Sequence, residues 1–221
     1  MIQSRKLFLI RRAYAVFLPS HSYSFTVTGS SLPPNDFITA LESLKGQHFR
    51  PEFHVTQIPA PTKIAPWAVA LQAEMNDSPD QDPEFYRGST KFVVLYDPAG
   101  QAAWDGQFRI VVHAQAPMDS EIGDDPLLGE VAWSWLHDAI RDSRASFHNL
   151  NGTVTRVFNE TFGGLHLNSS RIELEVRASW TPQTPYLTEH LLAWANFGAQ
   201  LSGLPPEFDN VQALPRKVDL I

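Results

Sequence analysis

The residues best placed to do chemistry in this chain sit on two segments that read as strands. In 106–115, Arg109, Val111 and His113 alternate with Phe108, Ile110, Val112 and Ala114. In 171–180, Arg171, Glu173, Glu175 and Arg177 alternate with Ile172, Leu174, Val176, Ala178 and Trp180. Successive strand residues point to opposite faces, so each segment has one apolar and one polar side. If the polar sides share an uncovered sheet face, Arg109, His113, Arg171 and Arg177 are candidate binding residues for an anionic small molecule. Guanidinium forks grip carboxylate or phosphate at two points. An acid from Asp97, Asp105 or Asp119–Asp125 would then supply proton or metal chemistry. The plainer reading of the same faces is a solvated surface with cross-strand ion pairs.

Trp133 is a candidate of another kind. It lies off the apolar stripe Leu128, Val131, Ala132, Trp135, Leu136 and Ala139 of a helix expected after Pro126. It is therefore expected as a binding hot spot or as part of a second small apolar cluster.

Other reaction signatures are missing. The chain has no phosphate-binding glycine loop, no HExxH, no GxSxG and no kinase set. Its eight histidines include no pair spaced three or four apart. The acid run Asp119-Ser120-Glu121-Ile122-Gly123-Asp124-Asp125 could hold a hard cation, but its glycine is fifth rather than the sixth that a calcium loop needs. It reads as a dipole-matched helix start. No metal and no cofactor are expected.

The elements that must position these residues follow from local pattern. A short helix opens after Pro33-Pro34-Asn35, with Phe37, Ala40, Leu41 and Leu44 on one face and Gly46 as its stop. A strand follows over Phe49–Ile58, with Pro51 pointing to a sheet edge. Pro66 is read as opening a second helix through Met75. An acidic, proline-bearing loop is expected over 76–89. A hairpin follows, Lys91–Tyr96 returning to about Gln115, with its turn at Asp97-Pro98-Ala99-Gly100 and a bulge at Asp105-Gly106. The helix after Pro126 comes next. A second hairpin (152–162 and 171–180) and a last helix with the stripe Leu187, Leu191, Trp194, Gly198 and Leu201 complete the chain. The expected fold is α+β with a mostly antiparallel sheet and packed helices, in the order α-β-α-ββα-ββα.

Composition bounds the function. With 221 residues and 43% hydrophobic content, the chain can bury one core, read as a single domain over 32–221 behind a flexible basic extension, 1–31. There is no cysteine, which removes disulfides, thiolate metal sites and cysteine nucleophiles, and fits a cytoplasmic setting. The net charge is −7, yet residues 1–34 hold four basic and no acidic residues, leaving 13 Lys+Arg against 24 Asp+Glu in the rest. Such an acidic body repels phosphate, so nucleic acid is disfavoured as a partner. No apolar run approaches the roughly 20 residues of a membrane span. Arg11 and Arg12 interrupt the apolar stretch that a signal peptide would need.

Several ordered blocks resemble a known family. They are Phe49-Arg50-Pro51-Glu52, Ala60-Pro61 to Ala65-Pro66, Leu95-Tyr96-Asp97-Pro98, and Asp125-Pro126-Leu127-Leu128 with Val131-Ala132-Trp133-Ser134-Trp135-Leu136. Gly152-Thr153-Val154-Thr155, Arg177-Ala178-Ser179-Trp180-Thr181-Pro182 and Gly203-Leu204-Pro205-Pro206 continue the series. From about residue 35 onward the chain resembles the actinobacterial domain-of-unknown-function family numbered three thousand. The resemblance implies a bacterial cytoplasmic protein and brings no reaction, cofactor, partner or catalytic residue.

The function expected from the residues is a non-enzymatic interaction domain, adaptor or chaperone, with an unidentified protein partner. An anionic-ligand binder or enzyme of unrecognised class is the alternative. An accessory of an RNA-processing complex, touching RNA through the basic arm, is a third reading. An unpaired edge strand would also permit a homodimer.

Overall fold

The computed structural model describes residues 12–16, 25–29, 32–76, 86–159 and 172–205. The strands are β1 (Arg12–Val16), β2 (Phe25–Gly29), β3 (Phe53–Ile58), β4 (Trp67–Asn76), β5 (Tyr86–Gln101), β6 (Gly106–Met118), β7 (Phe147–Phe158) and β8 (Ile172–Pro182). The helices are α1 (Asn35–Ser43), α2 (Ser120–Gly123), α3 (Leu128–Asp142) and α4 (Thr188–Leu201). The eight strands of the described residues form one antiparallel sheet in the order β1-β2-β4-β5-β6-β8-β7, with β3 paired to β4. The class is α+β, as the strand and helix patterns require.

Two ββα units build most of the sheet: β5-β6-α3 and β7-β8-α4. Their second strands, β6 and β8, pair with each other at the centre, from Ile110 opposite Trp180 to Met118 opposite Ile172. Strand β8 therefore inserts between β6 and β7 and leaves β7 at the edge. Among the described residues that edge strand runs antiparallel to β8 alone, with a bulge between His148 and Asn151.

One sheet face carries the main core. Phe92, Val94 and Tyr96 from β5, Phe108, Ile110, Val112 and Ala114 from β6, and Leu174, Val176, Ala178 and Trp180 from β8 are buried there. Helices α1, α3 and α4 lie over them through Phe37 and Leu41, Leu136 and Ile140, and Trp194 and Phe197. Each such side chain contributes about 1.5–3 kcal/mol of burial. Trp194 is held edge-on against Phe49 and Phe53 and tilted against Phe92, with its indole N–H donated to Thr90 Oγ1 at 2.8 Å. On the opposite face Ala60, Ala65, Ala68, Ala70, Leu95 and Trp104 form a second, smaller cluster over one end of the sheet.

Several local expectations are corrected. Residues 67–76 form strand β4, not a helix: Trp67, Val69, Leu71, Ala73 and Met75 join the main core while Ala68 and Ala70 are buried in the smaller cluster. Over Trp67–Leu71 both faces are covered and alanine masks the alternation, while Gln72 and Glu74 further along are not buried. The expected turn at Asp97–Gly100 is an irregularity inside β5, where Asp97 accepts the Ala99 N–H and Gly100 takes φ +72. The reversal falls at 102–105, with Asp105 at φ 55. The loop expected over 76–89 is shorter, because Asn76 ends β4 and Tyr86 begins β5; residues 77–85 lie outside the described residues. Strand β7 starts at Phe147, five residues before the expected start. Within the expected basic extension, Arg12–Val16 and Phe25–Gly29 are strands, and β2 meets β4 at Thr28 opposite Ala68; its other residues lie outside the described set.

Candidate functional site

The helix-free face of the sheet holds the polar residues that the alternation places there. Register fixes their neighbours: Lys91 lies opposite His113, His113 opposite Arg177, and Arg177 opposite Thr153. The adjoining row runs Ser89, Gln115, Glu175 and Thr155. No described helix covers either row.

At the centre sits a three-residue clamp. His113 Nε2 is hydrogen-bonded to Glu175 Oε1. The same oxygen accepts from Arg177 Nε at 2.8 Å and pairs with its terminal nitrogen at 2.6 Å. Burial works to raise the Glu175 pKa, but the hydrogen bonds and charges of Arg177 and His113 outweigh it and hold the carboxyl below its ordinary value. A histidine on a carboxylate has acid–base geometry. Here, though, no hydroxyl nucleophile among the described residues hydrogen-bonds to that ring.

Arg109 does not join the clamp. It is four strand positions from His113, about 13 Å along β6. Its side chain is buried, only 6% exposed, and donates to the Asn149 carbonyl (2.8 Å), Thr181 Oγ1 (3.0 Å) and Ser179 Oγ (2.8 Å). Thr181 in turn donates to the Trp104 carbonyl. Burial among neutral partners lowers the Arg109 pKa. The residue pins the β7 bulge and the 102–105 turn onto β8, with most of its guanidinium used. His148 and Asn149 add bonds to the Asp105 and Ala103 carbonyls.

Trp133 is not a free flank. Its ring lies over Gly152 of β7 and meets His137 edge-on at 5.8 Å, packed against the core. Gly152 makes the room: a Cβ there would come within 2.5 Å of the indole and closer still to the Arg177 carbonyl. Arg171 lies outside the described residues.

The acid run serves the approach to α3. Asp125 Oδ1 accepts the Leu127 N–H at 2.8 Å, and Arg156 donates to the Gly123 and Asp125 carbonyls. Among the described residues no group of three His, Asp or Glu side chains is placed to hold a metal. No described helix is long and apolar enough to cross a membrane.

The structure adds a buried pair that the strand alternation did not single out. Trp180 donates its indole N–H to His190 Nδ1 at 3.0 Å, and burial lowers the His190 pKa to about 4. The signal was present, since His190 falls on the stripe of Leu187, Leu191 and Trp194. It is a neutral core histidine rather than a surface one.

Comparison with known proteins then bears on identity. No curated protein and no solved structure matches the chain. The model of one family, described as Protein of unknown function (DUF3000), matches residues 33–212. That span covers most of the 221 residues, including both ββα units and the clamp, so the chain belongs to the DUF3000 family.

Proposed function

We propose that this chain is a non-enzymatic protein-interaction domain that presents the helix-free face of its sheet to a protein partner. The observation that carries the reading is the Glu175 clamp. With His113 and Arg177 both turned onto Glu175, the face offers a wide polar surface rather than an unfilled anion site. Exposed Thr153, Thr155 and Arg177 border it and supply hydrogen-bonding groups without a strong net charge. The anionic-ligand alternative has less support, because Arg109 is buried, turned onto neutral acceptors and remote from His113. The cysteine-free composition suits a cytoplasmic setting for such an adaptor.

The test is native mass spectrometry of the protein gently purified from its host, wild type beside two variants. Arg177→Glu combined with Thr153→Lys alters the open face, while Arg141→Glu alters exposed α3. The expected result is a co-eluting polypeptide at fixed stoichiometry, kept by the α3 variant and lost by the face variant. Equal retention in both moves docking away from this face. A small organic mass released on denaturation instead points to the ligand alternative.

A further inference from the structure

We propose that the edge strand β7 pairs antiparallel with β7 of a second copy of this chain, in a register centred on Val154, forming a two-fold dimer with one continuous sheet. The inference rests on the strand edge and is independent of the open-face reading above.

Natural sheets protect exposed edges with proline, lysine, inward charges or bulges. Strand β7 lacks most of these over its outer stretch. From Asn151 to Phe158 it follows β8 in unbroken register, with no proline and no lysine, and its bulge lies at the other end. Asn151, Gly152, Thr153, Thr155 and Phe158 are exposed, and Phe158 is 60% exposed, unusual for a phenylalanine. The segment Gly152-Thr153-Val154-Thr155-Arg156-Val157-Phe158 is also rich in β-branched residues, which favour pairing.

Charge selects the register. Arg156 is the one charged residue between Asn149 and Phe158. Centring on Thr155 would place each Arg156 opposite the partner's Val154, with the two arginines about 7 Å apart on one face, a repulsive diagonal. Centring on Val154 sets each Arg156 opposite a Gly152 and separates the arginines by four positions, about 13 Å, beyond the screening length of about 8 Å at physiological salt. The same register matches chemistry along the strand. Val154 meets Val154, Thr153 meets Thr155, and exposed Phe158 comes beside Leu150 at the margin of the bulge, a residue that packs against the core. Valine and threonine pairs of this kind favour antiparallel pairing. Nine residues a side is fewer than the roughly 20–30 of a standard interface. The dimer is therefore a concentration-dependent one in the micromolar range rather than an obligate one.

The absence of native cysteine makes the test direct. Full-length protein is followed by sedimentation from low to high micromolar concentration, and single cysteines are introduced at Val154 or at Asn151. The expected result is mass rising toward twice 24.8 kDa, lost in Phe158→Asp with an unchanged circular dichroism spectrum. Val154→Cys is expected to cross-link to itself under mild oxidation, while Asn151→Cys, six positions from its own copy, does not. A monomer at every concentration overturns the proposal. So does a dimer that cross-links through position 151 in preference to 154, or one indifferent to Phe158→Asp.

Discussion

Acidification should destabilise this protein in a window set by one core histidine. His190 lies on the buried face of α4 against Trp180, and burial lowers its pKa from 6.5 to about 4. In the unfolded chain it binds a proton near pH 6.5; in the folded chain it does so only near pH 4. Between those values the unfolded state holds more protons, so folding stability falls as pH drops through the window. At about 1.4 kcal/mol per pH unit, the loss between pH 7 and pH 5 is about 2 kcal/mol. Glu175 also loses stabilisation in acid, but its lowered pKa confines that to pH below the ordinary carboxylate range, outside this interval. The control is His190→Gln, whose amide oxygen can still accept the Trp180 N–H and does not titrate. Urea unfolding at pH 7 and pH 5, at fixed ionic strength, reads the difference as a midpoint shift of about 1 M that is present in wild type and largely absent in His190→Gln. Equal shifts in the two proteins would sink the argument, as would an imidazole resonance of His190 titrating near pH 6.5.

Replacing Arg109 by Met should leave the Asn149 carbonyl and the Ser179 and Thr181 hydroxyls without their donor and lower stability by about 1–3 kcal/mol. Thermal melting should also show that Arg109→Lys fails to restore it, since one ammonium cannot span three separated acceptors. Gly152→Ala should cost roughly 1–3 kcal/mol through overpacking against Trp133 and the Arg177 carbonyl. Adding Trp133→Leu should recover only the part due to the ring, because the backbone oxygen stays in place; urea midpoints of the single and double variants measure the split.

Where burial is one-sided, the sequence announced the structure. Strands β6 and β8 bury one face against helices and keep the other largely polar, so Phe108 to Ala114 and Ile172 to Trp180 alternate, with Arg109 buried and Val111 packed on the smaller cluster. Strand β4 is covered on both faces over Trp67–Leu71, and its run of Ala, Leu, Gln, Glu and Met carries helical propensity that packing overrides. The candidate site was half legible for a related reason. Alternation placed Arg109, His113 and Arg177 on one face, but only register shows Glu175 between the last two and Arg109 closed beneath the Asn149 bulge. Trp133 looked stranded because a helical stripe cannot reveal a glycine on a strand that follows it in the chain.

The insertion of β8 between β6 and β7 also sets an order for biosynthesis. Hairpin β5–β6 and helix α3 can form as soon as they leave the ribosome, but β6 then waits for a partner more than fifty residues downstream. At translation rates of about 5–20 residues per second, that is roughly 3–10 s with a long strand edge uncovered. Hairpin β7–β8 must then dock as a unit to complete the sheet. Slow arrival of that unit, rather than weakness of the finished core, is where expression of this protein is most exposed to aggregation.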